Sequence, residues 1–307
     1  MTTPILADPT AFKTYYLGAP GSMQAIRTPN AAVTQPLSRS ENVHQLISGG
    51  VAVTRRGRGR RGWQLGWAGC TPDTADQMIG FYLGVFGDGP FCYVDPSWRN
   101  MLPTDVSTFG AQLDAVSVWS RSLTGSAPLS FDTTVTAPSP QSGIARWANA
   151  ANGEQVGLGA WNGTRFVPST AIGMAPVLTP TTTSLTVYAR AVTGTPSQSL
   201  RAQSTDSTFG TVTTQGTTTA TLSSSAWTRL AVQVPAGVTA SYWTPNLLCN
   251  TASALILLSA AQLQYGRATP DPWVIGLGVP WVVPASEMAS DYDLLYARNH
   301  GLALIEI

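Results

Sequence analysis

The chain holds few side chains with which to do chemistry. Histidine occurs only at His44 and His300, and glutamate only at Glu41, Glu154, Glu287 and Glu306. A histidine-activated nucleophile needs an imidazole, a hydroxyl or thiol and an orienting acid brought together, and neither histidine stands near a persuasive nucleophile. Gly-x-Ser-x-Gly, P-loop and His-Glu-x-x-His patterns are all missing. A glycosidase's carboxylate pair is defined by distance in space, which separation in sequence does not give. The expectation is a protein that is not an enzyme and uses no cofactor. Asp291 and Asp293 are too few carboxylates to specify a Ca²⁺ site and are read as caps of a helix-like stretch, Tyr292 to Arg298. Cys70, Cys92 and Cys249 lack metal-site or disulfide-framework spacing, so no metal is expected and the thiols are read as free and mostly buried.

Two residue groups could bind rather than react. Gly57-Arg-Gly-Arg-Arg-Gly62 matches Gly-x-Gly-x-x-Gly, but the following Trp63-Gln-Leu-Gly-Trp67 alternates like a strand, whereas a dinucleotide fingerprint needs a helix there. The segment is better described as Arg55, Arg56, Arg58, Arg60 and Arg61 on flexible glycine. Subunit contact, a solvated hairpin or phosphate contact with DNA are the three readings, with subunit contact preferred. The second group is aromatic, because a tryptophan or tyrosine face stacks on the apolar side of a sugar ring. Trp119, Trp147, Trp161, Tyr242 and Trp243 are candidates, with core packing the competing explanation for each tryptophan. Tyr242-Trp243 falls in a Pro/Asn-bounded loop and is the best exposed pair. Tyr242, Trp243 and Trp161 are therefore the candidate glycan contacts, whereas Trp227 is expected to be buried.

Charged residues make up 11% of the chain and the net charge is +1; soluble proteins average about 25% charged. Bulk electrostatics therefore offer no attraction to nucleic acid or membrane, and a surface so poor in charge fits either burial in an assembly, the preferred reading, or a β-protein covered by serine and threonine. The greasiest run, Ala254 to Ala261, is far short of the roughly 20 residues a membrane span requires. Met1 to Thr10 lacks a basic start followed by an apolar stretch, so synthesis in a cytoplasm without a targeting signal is expected.

Along the chain, residues 1 to 40 read as an arm whose apolar side chains, among them Phe12, Tyr15 and Tyr16, would become ordered against a neighbouring subunit. Two β-like runs flank Ser48-Gly49-Gly50, and Trp63, Leu65 and Trp67 share one face of a strand. Asp73 to Val85 carries apolar residues at helical spacing, with Thr71 or Asp73 available to cap. Phe86-Gly-Asp-Gly-Pro-Phe91 forces a turn before a short aromatic strand that Asp95-Pro96 stops. From about Val116 the texture becomes short strands separated by turn residues, as in Ser184 to Val192 and Thr228 to Val234, which favours an antiparallel sandwich. The fold class is mainly β with one helix. The domains are expected at 1–115 together with 267–307, a discontinuous β-rich unit, and at 116–266, an inserted jelly-roll sandwich.

Two resemblances add to this reading. The order Arg61-Gly-Trp-Gln-Leu-Gly-Trp67, helix, Gly87-Asp-Gly-Pro-Phe91, Asp95-Pro96 and Asn100-Met-Leu102 resembles the N-terminal region of distal and minor tail proteins of long-tailed bacteriophages. That resemblance implies a structural virion component at the tail tip or baseplate. It further implies a homo-oligomer, by family a hexameric ring, that joins the tail tube to other tip proteins. No membrane is involved, and nucleic acid enters only as DNA passing through a lumen. Leu185-Thr-Val-Tyr-Ala-Arg190, Ser223-Ser-Ser-Ala-Trp-Thr-Arg-Leu230 and Ala260-Ala-Gln-Leu-Gln-Tyr-Gly266 resemble jelly-roll carbohydrate-binding modules. They imply an outward sandwich able to touch host-surface glycan, or else a free bacterial carbohydrate-binding module or sugar-active protein.

Overall fold

The computed structural model describes residues 13–30, 37–45, 51–109, 118–122, 128–168, 174–251, 254–267, 270–285, 289–294 and 297–307. The chain opens with the hairpin β1 (Tyr15–Gly18) and β2 (Gln24–Ile26), then β3 (Leu37–Gln45), the long β4 (Val51–Cys70), α1 (Pro72–Tyr82) and β5 (Phe91–Val94). Next come α2 (Thr104–Ser107), β6 (Trp119–Arg121), β7 (Ser130–Phe131), β8 (Ile144–Ala150), β9 (Gln155–Leu158), β10 (Ala160–Trp161) and β11 (Phe166–Val167). They are followed by β12 (Thr183–Ala191), β13 (Ser197–Thr205), β14 (Val212–Thr221), β15 (Thr228–Val234), β16 (Tyr242–Cys249) and β17 (Ala254–Tyr265). β18 (Trp281–Pro284), β19 (Ala289–Leu294) and β20 (Ala297–Glu306) complete the series. The fold is mainly β with antiparallel sheets, and no helix among the described residues is long and apolar enough to cross a membrane.

Two compact units result, one built from 14–19, 24–93 and 280–307, the other from 20–23 and 94–279. The limits expected at 115/116 and 266/267 thus lie inside the second unit. The reason is local. Met101 N–H donates to the Leu263 carbonyl, Gln262 Nε2 to that of Arg99, and Asn100 Nδ2 to those of Ala261 and Val274, so residues 99–102 and 270–278 cover β17. β17 is consequently buried along nearly its whole length on both faces.

The flanking unit is an eight-stranded sheet of order β2-β1-β5-β18-β20-β4-β3, with β19 paired to β20. Residues far apart in sequence close it: Trp281 pairs with Cys92, and Leu302 and Leu304 pair with Leu65 and Trp63. The alternation in β4 buries Trp63, Leu65 and Trp67 on one face. Phe81 of α1 meets Phe91 edge-on at 5.3 Å, and Trp63 and Tyr93 lie 5.3 Å apart, so helix, corner and strand share one aromatic core. α1 starts at Pro72, suited to a first turn whose amide has no partner; Thr71 is its N-cap residue but makes no side-chain cap bond. The arginine-rich segment, expected as a loop, is instead part of β4, with Arg55, Arg56, Arg60 and Arg61 opposite Glu41, Ser40, Ser38 and Leu37. The helix-like stretch at Tyr292 to Arg298 is the β19–β20 hairpin, in which Tyr292 pairs with Arg298. Cys70, Cys92 and Cys249 are free and buried, and burial pushes the Cys92 thiol well above its ordinary range.

The second unit is a jelly-roll-type sandwich of two five-stranded antiparallel sheets, β15-β12-β17-β8-β7 and β14-β13-β16-β9-β6. In β15, Leu230, Val232 and Val234 point inward while Ala231 and Gln233 are exposed, the period of two that the sequence shows. Trp119 and Trp147 are core side chains. A buried ion pair joins β6 to the start of β9: Arg121 Nε donates to Glu154 Oε1 at 2.5 Å and Nη2 to Oε2 at 3.1 Å, while the Ala151 amide also donates to Oε2.

Candidate functional site: a groove on the β13–β16–β9 face

Register brings the floor of the groove together. Gln203 lies opposite Thr244, and Arg201 opposite Asn246, across the β13–β16 ladder. Directly opposed residues share a face, so these side chains form one polar surface. Across the next ladder Asn246 faces Gly157 and Leu248 faces Gln155, which extends that surface onto β9. Pro245 sits just beyond the last β9 pair; lacking an N–H, it has no bond to give there, and the ladder stops. The freed edge is where the chain folds back.

That fold-back is the β10–β11 hairpin, in which Trp161 pairs with Phe166. Two glycines permit it. A Cβ on Gly157 would stand 2.4 Å from Phe166 Cδ2, and one on Gly159 would stand 2.3 Å from the Val167 carbonyl oxygen, with the Gly159 backbone at φ +86° besides. Phe166 therefore lies directly on the sheet, and Trp161 packs beside it at 5.0 Å and 57°. The hairpin turn is held by Asn162, whose Oδ1 accepts from the Thr164 and Arg165 amides at 3.0 and 2.9 Å.

Between hairpin and sheet is a groove of about 260 Å³, whose walls include Trp161, Arg165, Arg201, Gln203 and Thr244. Pockets for whole drug-sized ligands run to about 300–1,000 Å³, so this one suits a single sugar ring or a similar polar group. Trp161 and Arg201 are half-buried, so both are reachable from solvent. Thr244 is only 6% exposed, and its Oγ1 has no partner among the described residues; the same holds for Oδ1 of Asn246, whose Nδ2 donates to Gln155 Oε1 at 3.1 Å. Buried polar atoms are normally paired, so the Thr244 hydroxyl, which lines the groove, keeps hydrogen-bonding capacity to spare. The groove thus combines one aromatic wall with amide, hydroxyl and guanidinium groups. No group of three or more His, Cys, Asp or Glu side chains among the described residues is placed to hold a metal ion.

The residues singled out from sequence are distributed unevenly. Trp161 lies in the groove. Tyr242 and Trp243, expected to be the best exposed pair, are each 3% exposed in β16 and take no part in it. Tyr242 stacks on Phe209 at 5.4 Å, and the Trp243 amide donates to the Ala175 carbonyl. Trp227 is half-buried rather than buried, with Nε1 donating to the Thr136 carbonyl. In the flanking unit Tyr16 is a core residue, and Tyr15 is half-buried and stacks on Tyr93 at 6.3 Å, so both pack within this chain. Arg61 is held inside the unit: its Nη2 donates to Glu306 Oε1 at 2.6 Å, and its guanidinium lies 5.5 Å from the Trp63 ring centre. Arg60 is exposed. Phe12 and the side chains of Arg55, Arg56 and Arg58 lie outside the described residues. Gln155, Arg165, Arg201, Gln203 and Thr244 were not singled out. The alternation of Leu200 and Ala202 inward with Arg201 and Gln203 outward was the signal that could have found the floor.

The chain matches no protein-family model and no curated protein sequence. Among solved structures, it is similar to the CBM22-1 xylan-binding domain from Paenibacillus barcinonensis, with 15% identity over 50% of this chain and 88% of that chain and a TM-score of 0.35. The C-terminal family 22 carbohydrate-binding module from Clostridium thermocellum shows 18% identity over 53% and 94%, with a TM-score of 0.34. The enzymatically active domain of bacteriophage CBA120 tailspike protein 4 shows 14% identity over 54% of this chain and 21% of that chain, with a TM-score of 0.37. The sandwich assignment above rests on the chain's own strand order.

Proposed function

We propose that the sandwich binds carbohydrate in the groove between the β10–β11 hairpin and the β13–β16–β9 face, and that the chain performs no catalytic step on it. The observation that carries this reading is the placement of Trp161. It is a half-buried indole packed on Phe166, which two glycines let lie against the sheet, and it lines the groove together with Gln203, Thr244 and Gln155. An aromatic wall for sugar C–H groups opposite donors and acceptors for hydroxyls is the chemistry a pyranose needs. The test is a glycan array followed by titration calorimetry of each hit. Trp161→Ala is expected to weaken binding at least about tenfold, ~1.4 kcal/mol, with the sandwich still cooperatively folded and every glycan recovered intact. Undiminished affinity in Trp161→Ala would rule the groove out.

A second reading concerns the flanking unit: assembly with further copies of this chain, as in the ring of a phage tail tip. It is supported by the corner sequence and by an exposed apolar cluster at the end of α1, where Tyr82, Leu83, Val85 and Phe86 are 38%, 68%, 73% and 36% exposed. Sedimentation of the intact chain is expected to show a discrete oligomer that Leu83→Asp with Val85→Asp dissociates. A monomer at all concentrations would remove the ring, and with it the place in a virion.

A further inference from the structure

We infer that the groove selects an acidic sugar, one carrying a carboxylate, over its neutral counterpart; this rests on the carbohydrate reading above. Two guanidinium groups, Arg165 and Arg201, line the groove, and no aspartate or glutamate does. Among the described residues neither arginine is in a salt bridge, and Nε of Arg165 is buried without a hydrogen-bond partner.

The acids on adjoining elements are already engaged. Glu154, next to Gln155, is 4% exposed and held by Arg121 and the Ala151 amide. Asp206, just past β13, accepts from the amides of Thr208, Gly210 and Thr211 and from the Thr208 hydroxyl. These bonds hold its carboxyl well below the usual carboxylate range, so it stays charged and tied to its own turn.

Two like charges in one recess therefore await a countercharge. A site for neutral sugar mixes acceptors with donors, because each hydroxyl can do both. Here the charged groups are donors only, and a guanidinium fork matches the two oxygens of a carboxylate. Gln203 and Thr244 remain for the hydroxyls and Trp161 for the ring face. The ligand class is a glycan with a uronate or a sialic-acid carboxylate.

Calorimetry on the whole chain tests this with paired probes: trigalacturonate against its methyl ester, and sialyllactose against lactose. At least one acidic probe is expected to bind tenfold or more tightly than its uncharged partner. That preference is expected to shrink between about 50 and about 300 mM salt as the Debye length shortens, and to disappear in Arg201→Gln and Arg165→Gln while Trp161→Ala weakens both members of the pair. The probe that binds distinguishes uronate from sialate. Neutral probes or neutral array glycans bound as well as acidic ones, with loss in Trp161→Ala, would overturn the acidic selectivity and leave the carbohydrate reading standing. No binding of any glycan would overturn both.

Discussion

In the sandwich, the side chains turned outward on β13 and β14 include Arg201, Gln203, Thr214 and Thr217, whereas the flanking unit exposes part or most of Tyr82, Leu83, Val85 and Phe86 at the end of α1. The first surface is polar, with hydrogen-bonding groups turned to solvent; the second is apolar. The interiors differ too. The sandwich keeps a buried ion pair and several unpaired buried hydroxyls, among them Thr183, Thr186, Thr205 and Thr244, while the flanking core is aromatic, built on Trp63, Trp67, Tyr93, Phe81 and Phe91. One chain thus has two units whose exposed faces differ in chemistry, a polar groove with an aromatic wall in one and an apolar turn in the other.

The largest expected effect asks whether these are separate cooperative units. Trp147→Ala empties a fully buried site and is expected to destabilise the sandwich by about 3–5 kcal/mol. Amide exchange should then speed up in residues 94–279 while β4 and β20 keep their protection; uniform acceleration would mean one cooperative unit. Next is the ion pair. Arg121→Met leaves the Glu154 carboxylate buried and uncompensated, a loss of about 3 kcal/mol, and Arg121→Met with Glu154→Met should recover most of it. Chemical denaturation of the single and double variants reads this directly.

A smaller effect, with a larger functional consequence, is expected at Gly159. Gly159→Ala places a Cβ against the Val167 carbonyl at positive φ and should cost about 1–3 kcal/mol. It should also displace the hairpin and abolish glycan binding, whereas Gly163→Ala, a positive-φ position with open space around it, should only lower stability.

The smallest effect lies in the flanking unit. Burial raises the Glu306 pKa, but hydrogen bonds from the Arg61 side chain and amide, with its charge, outweigh that and leave it below the ordinary value of 4.5. A depressed folded pKa means that the stabilisation is complete above the unfolded value and is lost as pH falls through the folded one. Glu306→Gln should therefore be about 1 kcal/mol less stable at neutral pH, a modest figure because the pair is partly solvated. The gap should close in acid melts below pH 4.5.

Much of this architecture was legible in the sequence because local pattern and tertiary role agree. Leu230, Val232 and Val234 alternate as a half-buried strand must, and the Gly-Asp-Gly-Pro corner separates α1 from β5 as expected. The misreadings have identifiable causes. Pro245 and Asn246 signal a break, yet β16 lies between β13 and β9, because the missing Pro245 N–H falls where the β9 ladder has ended. Glycine and arginine in residues 55–62 suggest a loop, but pairing with β3 and β20 overrides weak strand propensity. Tyr292 to Arg298 has helical spacing, and pairing with its own continuation makes it a hairpin. The groove was the least legible part. Trp161 was visible as an aromatic residue, but Gln155, Arg201 and Thr244 come from three strands whose register no local pattern announces.

The most direct test of the central claim is amide chemical-shift mapping of the whole chain titrated with its best array glycan. Shifts are expected to concentrate in Gln155 to Phe166, Arg201 to Gln203 and Thr244 to Asn246. Shifts centred on the β15-β12-β17-β8-β7 face, or on the α1 turn, would contradict the account.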